Sequence, residues 1–410
     1  MMNETTIAMI KLVAVFAVLL FAVNRKWKLW MSVALASAAG ILLFRIGPSA
    51  IGNILVHTTS SWETISMLLI FYLIMLLQQM LQEKDQMRKA QRNLDHLFHN
   101  RRINATIAPM LIGLLPSPAA ASICGEIVDE ACDHSLGPED KAFVTSYFRH
   151  IPESFLPTYA NIIMMSELAG VSLTSFTLGM LVPVLVMYLV GYWGWICKVP
   201  RKAEYSGQVE KMSKGKEVLA LLYHLWTLLA IIVCVMVFHL DVLPSIAVVI
   251  AAAFFIYRFQ PGQLVKMAKQ AFDPSLLFST WLIFLFKNIL VEAGVIAALP
   301  EFFSALPIPT YLIFAFIFFF GSIAAGSTPM VAMCTNVAFN AISGAGMPLM
   351  MLLNTFSWAA MQLSPTHICI MIAAEYFHTN MGTVIRKTII PVFIVCIAAV
   401  LYYLVLLQLA

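Results

Sequence analysis

The 410-residue chain is 61% hydrophobic and only 11% charged, with a formal net charge of +4 and a mean hydropathy of +0.86. A soluble domain of this size needs far more polar surface, so that class is excluded and lipid is the main solvent. No nucleic-acid partner is expected, and the seven cysteines show no paired spacing that would build a disulfide framework or a metal centre.

In chain order, apolar runs near 7–23, 29–46, 63–81, 146–169, 174–196, 217–238, 243–258, 275–296, 354–377 and 388–408 predict about ten spanning helices. The first is not read as a signal peptide, because basic residues follow it and no small-residue cleavage site closes it. Between the third and fourth lies Gln82 to Arg102, a polar, basic stretch suited to a helix at the anionic inner leaflet. Two further apolar stretches, 103–130 and 309–343, are interrupted by small residues and proline. Each is predicted to enter and leave on the same side as a re-entrant hairpin. With the N-terminus outside, all the basic residues except Lys11, Arg45 and Lys287 fall in cytoplasmic segments, as the positive-inside rule requires. Both termini are then outside, on a multi-pass protein of a bacterial or archaeal inner membrane.

The chain also repeats itself. Phe148 falls on Phe356, Pro157-Thr158 on Pro365-Thr366, Ile162 on Ile370, Glu167 on Glu375, and Pro183-Val184 on Pro391-Val392. The hairpin turns pair as Ser117-Pro118 with Thr328-Pro329. An odd number of helices separates the copies, so the second crosses the membrane in the opposite sense. Inverted repeats with interrupted helices are a common construction of secondary transporters. Residues 1–197 form the first repeat, with scaffold helices at 7–81 and hairpin and transport helices at 103–197. Residues 198–216 are a basic cytoplasmic linker. Residues 217–410 are the second repeat, with scaffold helices at 217–296 and hairpin and transport helices at 309–408.

Four places carry candidate chemistry. The first turn, Gly113-Leu-Leu-Pro-Ser-Pro-Ala, offers Ser117 and Pro118; the second, Gly326-Ser-Thr-Pro, offers Ser327 and Thr328. Small residues permit close backbone approach, and hydroxyls at helix starts can hold an anion or a cation. Following the hairpins, Leu156-Pro157-Thr158 with Asn161, and Ser364-Pro365-Thr366, place prolines near mid-depth, where broken backbone is tolerated only inside protein or beside a cavity. Thr158, Asn161, Ser364 and Thr366 are therefore taken as binding residues, and Ser117, Asn161, Thr328 and Thr366 as a candidate sodium site. No other metal and no cofactor is expected.

Among charged residues, Arg149 is a candidate anion clamp, weighed against an ion pair with Glu153 at i+4. As a clamp, its replacement by alanine should weaken solute binding without disturbing folding. Lys287 reads as a structural ion pair more readily than as a counter-charge. Glu126, Asp129 and Glu130 read as a solvated rim, and the histidines, being dispersed, as structural. No phosphate loop, zinc helix or nucleophile elbow occurs, and the chain is not read as an enzyme.

Gly113-Leu-Leu-Pro-Ser-Pro, Val128-Asp129-Glu130, Tyr147-Phe148-Arg149-His150 with Pro157, Leu363-Ser364-Pro365-Thr366-His367, and Ala374-Glu375-Tyr376-Phe377 together resemble the prokaryotic domain-of-unknown-function 401 integral-membrane family. That family is similar to the ion-transporter superfamily of gluconate, citrate and dicarboxylate carriers. The resemblance implies two re-entrant hairpins, a scaffold that makes a homodimer, and a transport domain that moves like an elevator. Carriers of that superfamily often have Ser-Asn-Thr at the hairpin tips, whereas the tips here lack asparagine. The expectation is an all-α polytopic protein carrying a small anionic organic solute, coupled to sodium or protons. The alternatives are a channel or facilitator on the same fold, and a membrane-embedded accessory subunit or enzyme.

Overall fold

The structure, a computed structural model, describes residues 4–25, 27–86, 88–90, 92–93, 100–113, 119–201, 214–295, 299, 302–303, 306–342, 344–365 and 367–409. Its regular elements are helical. The first set is α1 (Glu4–Asn24), α2 (Leu29–Phe44), α3 (Pro48–Ser60) and α4 (Trp62–Glu83). Ser61 caps α4 by accepting from the Thr64 amide, so the helix has a defined start. At 22 residues it is about 33 Å long, enough to cross a bilayer core.

Next come α5 (Arg101–Gly113) and α6 (Ala119–Cys132), then α7 (Pro138–His150), a short 3-10 turn at Pro152–Ser154, and α8 (Ala160–Ala169). Helices α9 (Leu173–Gly179) and α10 (Leu181–Gly194) follow. The chain continues through α11 (Lys214–Met236), α12 (Val242–Ile256), α13 (Pro261–Ala271) and α14 (Pro274–Glu292). Asp273 caps α14 by accepting from the amides of Ser275 and Leu276. The last set is α15 (Thr310–Ala325), α16 (Ser327–Ala341), α17 (Gly346–Met361), α18 (Ile368–Tyr376) and α19 (Met381–Leu409).

Among the described residues, five helical segments are long and apolar enough to cross a membrane: Trp62–Glu83, Leu173–Gly194, Gly215–Met236, Pro274–Glu292 and Met381–Leu409. Ile7–Leu19, Leu29–Phe44, Ala160–Ala169, Val242–Ile256 and Thr310–Ala325 are apolar but shorter. Phe255, Ile390, Phe393 and Leu401 stand exposed on such helices. A chain with so much outward apolar surface is a membrane protein.

Two of the expected spans are divided at proline-bearing breaks, and a third, 174–196, is split at Met180 into α9 and α10. The run at 146–169 is divided into α7, the 3-10 turn and α8, and the run at 354–377 into α17 and α18. Pro152, Pro157 and Pro365 lie at these breaks; each lacks an amide hydrogen and disfavours a helical residue before it. Both expected hairpins are helix pairs. The arms α5 and α6 pack on each other, as do α15 and α16. At 13 residues α5 is about 20 Å long, too short to span. The second turn is Gly326 alone, at φ +89, a conformation that glycine adopts without strain. The first turn, with Ser117 and Pro118, lies outside the described residues, as do Thr366 and most of the 198–216 linker.

The helices pack mostly in two sets, which meet where α1 touches α15, α14 touches α16 and α9 touches α11. Helices α1 to α4 pack among themselves and with α12, α13 and α14. The hairpin α5–α6 packs on α7, and the hairpin α15–α16 packs on α8 and α17. Lys287 of α14 pairs with Glu63 of α4, and Asn288 Nδ2 donates to Thr58 Oγ1 of α3 at 2.8 Å. Lys287 thus ties helices together within the first set. Asp129 pairs with Lys141 at 2.6 Å and is half exposed, consistent with a solvated rim.

Candidate functional site

Breaking a helix inside lipid frees carbonyls that need partners. Here α17 and α9 supply them. Trp358 Nε1 donates to the His150 carbonyl at 2.7 Å, Asn354 Nδ2 to that of Ser154 at 2.6 Å, and Thr177 Oγ1 to that of Phe155 at 3.1 Å. The break is thus a built feature, held open by side chains from elsewhere in the fold.

Beside it lies a cavity of about 300 Å³. Phe71, Ile74 and Gln78 of α4 form one wall, and Glu153, Thr158, Asn161, Ser327 and Thr328 line the other side. Asn161 Nδ2 donates to Ser327 Oγ at 3.1 Å, while Thr328 Oγ1 donates to Asn161 Oδ1 at 2.9 Å. One side chain of the broken segment therefore clasps both hydroxyls of the hairpin tip. Helices α8 and α16 both begin at this point, since Ala160 and Ser327 are their first residues and both line the cavity. Their unsatisfied amides put positive partial charge there.

A second cavity, also about 300 Å³, lies on the other side of the tip, lined by Ser322, Gly326, Ser327, Thr328, Ser364 and His367. Ser364 Oγ donates to the Ile323 carbonyl at 3.2 Å. Thus Thr158, Asn161, Ser327 and Thr328 gather at one cavity and Ser364 faces the adjoining one. Of the oxygen donors proposed for sodium, those of Asn161 and Thr328 are together; Ser117 and Thr366 lie outside the described residues.

Arg149 does not line either cavity. It is 1% exposed, and its Nη1 lies 3.5 Å from Glu153 Oε1, 3.3 Å from Cys369 Sγ and 3.2 Å from His150 Nε2. The ion-pair reading of Arg149 and Glu153 matches this geometry. Glu153, which meets the first cavity on one side and Arg149 on the other, was not singled out by sequence as a site residue. His150 and His367 are not dispersed: their Nε2 atoms are 3.0 Å apart. Each follows or precedes a proline-bearing break, a signal that could have linked them. A guanidinium nitrogen occupies the seat beside His150 Nε2 and Cys369 Sγ, where a metal would need to approach both within about 2.3 Å.

Tight backbone contact supports this cluster. A Cβ on Gly113 would sit 2.1 Å from the Arg149 carbonyl oxygen, and Tyr159 Oη donates to the Gly113 carbonyl. The end of the first hairpin arm is thereby fixed against the start of the break.

The chain belongs to the family described as Protein of unknown function (DUF401), which it matches over residues 7–407. Comparison with curated proteins returns no match.

Proposed function

We propose that this family member is a secondary active transporter of a small anionic organic solute, coupled to sodium or protons and working by an elevator-type motion. The observation that carries the reading is the clasp of Asn161 on Ser327 and Thr328 beside a cavity. A discontinuous helix and a hairpin tip meeting in mid-membrane are the parts from which carriers build a central site. The order of elements supports two inverted repeats: hairpin α5–α6, broken α7–α8, then α9–α10; hairpin α15–α16, broken α17–α18, then α19.

The cavity lies between the two packing sets, with α4 on one side and the broken segment and second hairpin on the other. In the elevator reading α1–α4 and α11–α14 are the scaffold, carrying the homodimer contact. The hairpins, α7–α10 and α17–α19 are the moving part, in an inner membrane with both termini outside. A volume near 300 Å³ is at the small end for ligand sites, which favours a small solute. The two helix starts favour a negative group. Thr158 and Ser364 would add hydroxyl donors, as would Ser117 and Thr366 if the first turn and second break complete the site. Arg149 acts from behind, by fixing Glu153.

Binding to the folded state raises its thermal midpoint by mass action, so the full chain in lipid nanodiscs can be screened with small organic acids, with and without sodium. Asn161→Ala removes two hydrogen bonds worth about 1 kcal/mol each. Counting 1.4 kcal/mol per decade, affinity for the solute found in the screen is expected to fall roughly 30-fold. Wild-type affinity in Asn161→Ala would remove the clasp from the binding site.

A further inference from the structure

The two histidines at the breaks are short of one proton. His150 Nδ1 faces the Ser146 carbonyl, and His367 Nδ1 faces the Met361 carbonyl at 3.1 Å. A carbonyl oxygen only accepts, so each Nδ1 carries its hydrogen. Two neutral rings then have bare lone pairs at both Nε2 atoms, and these face each other at 3.0 Å. The single lone pair of His150 Nε2 accepts one donor at a time, either Arg149 Nη1 at 3.2 Å or an N–H on His367 Nε2, and Arg149 keeps Glu153 and Cys369 when it yields. Among the described residues, His367 Nε2 has only His150 Nε2 opposite it. One added proton on His367 Nε2 turns this repulsion into an N–H···N bond and satisfies every ring nitrogen at once.

Several charged and titratable groups face the pair. Arg149 and Glu153 form a balanced ion pair on the same stretch. Tyr159, Cys369 and Cys124 of α6 are the other such groups near Arg149 among the described residues. Helix α17 contributes Trp358 and Ser357, and the second hairpin contributes Ser322, Ser327 and Thr328. His367 lines the second cavity, and Glu153 the first. Between them runs an unbroken series: Glu153, Arg149, His150, His367, with steps of 3.5, 3.2 and 3.0 Å.

We propose that His150 and His367 hold one proton between their Nε2 atoms and that this proton is the carrier's coupling ion. It is taken from water of the second cavity onto the His367 lone pair and returned to water when that cavity opens to the other side. Uptake breaks one O–H bond of hydronium and makes one N–H bond, leaving water; release reverses both. Its charge is felt at the solute cavity through Arg149 and Glu153. The coupling role rests on the carrier reading above; the shared proton does not.

The test is nitrogen-15 NMR of histidine-labelled full-length chain in lipid, followed through pH, with His150→Gln and His367→Gln used to assign the two rings. The expected result is that both Nδ1 stay protonated and that one proton per chain is lost in a single step to which both rings respond together. His367→Gln then abolishes the response of His150. Should that variant not fold, the wild-type titration decides alone. Two rings that each keep one proton at every pH, one with a bare Nδ1, overturn the proposal. So does a metal ion bound to the Nε2 atoms, revealed by spectra that change only on chelation. In proteoliposomes, proton-driven accumulation that survives in His367→Gln removes the coupling role and leaves the carrier. A shared proton in a chain that moves no solute leaves the pair and removes the carrier.

Discussion

Arg149→Ala is expected to destabilise the folded chain by about 3–5 kcal/mol, the cost of leaving one member of a buried ion pair uncompensated. Arg149 is 1% exposed, and its guanidinium sits among Glu153, Cys369 and His150. Its loss strands the Glu153 carboxylate at a cavity wall. Adding Glu153→Gln removes that charge and should recover much of the loss, so the pair will show strong coupling in a double-mutant cycle. Unfolding midpoints of the four proteins in one detergent measure this. A single variant as stable as wild type would contradict the geometry. This outcome differs from the one expected from sequence, that Arg149→Ala spares folding and weakens solute binding.

The second large effect is expected at Gly113. An added Cβ would meet the Arg149 carbonyl oxygen at 2.1 Å, and the obstacle is backbone, not a side chain that can turn away. Either the hairpin arm or the break must move, at a cost of up to about 3 kcal/mol for overpacking. The shift would also disturb the Tyr159 bond to the Gly113 carbonyl. Gly52→Ala is the internal comparison, because nothing lies within 4 Å of its added Cβ. In the interior of α3 that change should be neutral or gain up to about 1 kcal/mol. Equal midpoints for the two variants would sink the argument.

Much of the architecture was legible because lipid imposes simple rules. Span length and prolines are read along the chain, and they marked the apolar helices and the divided segments. They also brought Asn161, Ser327 and Thr328 to one place, since residues at breaks and tips must face protein or cavity. What sequence could not supply was the direction each helix faces. Lipid-facing and protein-facing positions are both apolar here, so no stripe tells which side of α7 meets α18. The partners His150 and His367, and the catches of Asn354 and Trp358 on freed carbonyls, depend on that rotation. Arg149 was ambiguous for the same reason: its depth was readable, whereas its neighbours Cys369 and His150 were not.

Gradient-driven uptake into proteoliposomes bears most directly on the central claim, that the cavity under Asn161 is the site of a coupled carrier. The full chain, reconstituted and supplied with small organic acids under imposed sodium or proton gradients, is expected to accumulate at least one of them. That uptake should saturate, collapse with the gradient and weaken in Asn161→Ala. Accumulation of none of them, or a unitary conductance in planar bilayers in place of saturable uptake, would contradict it.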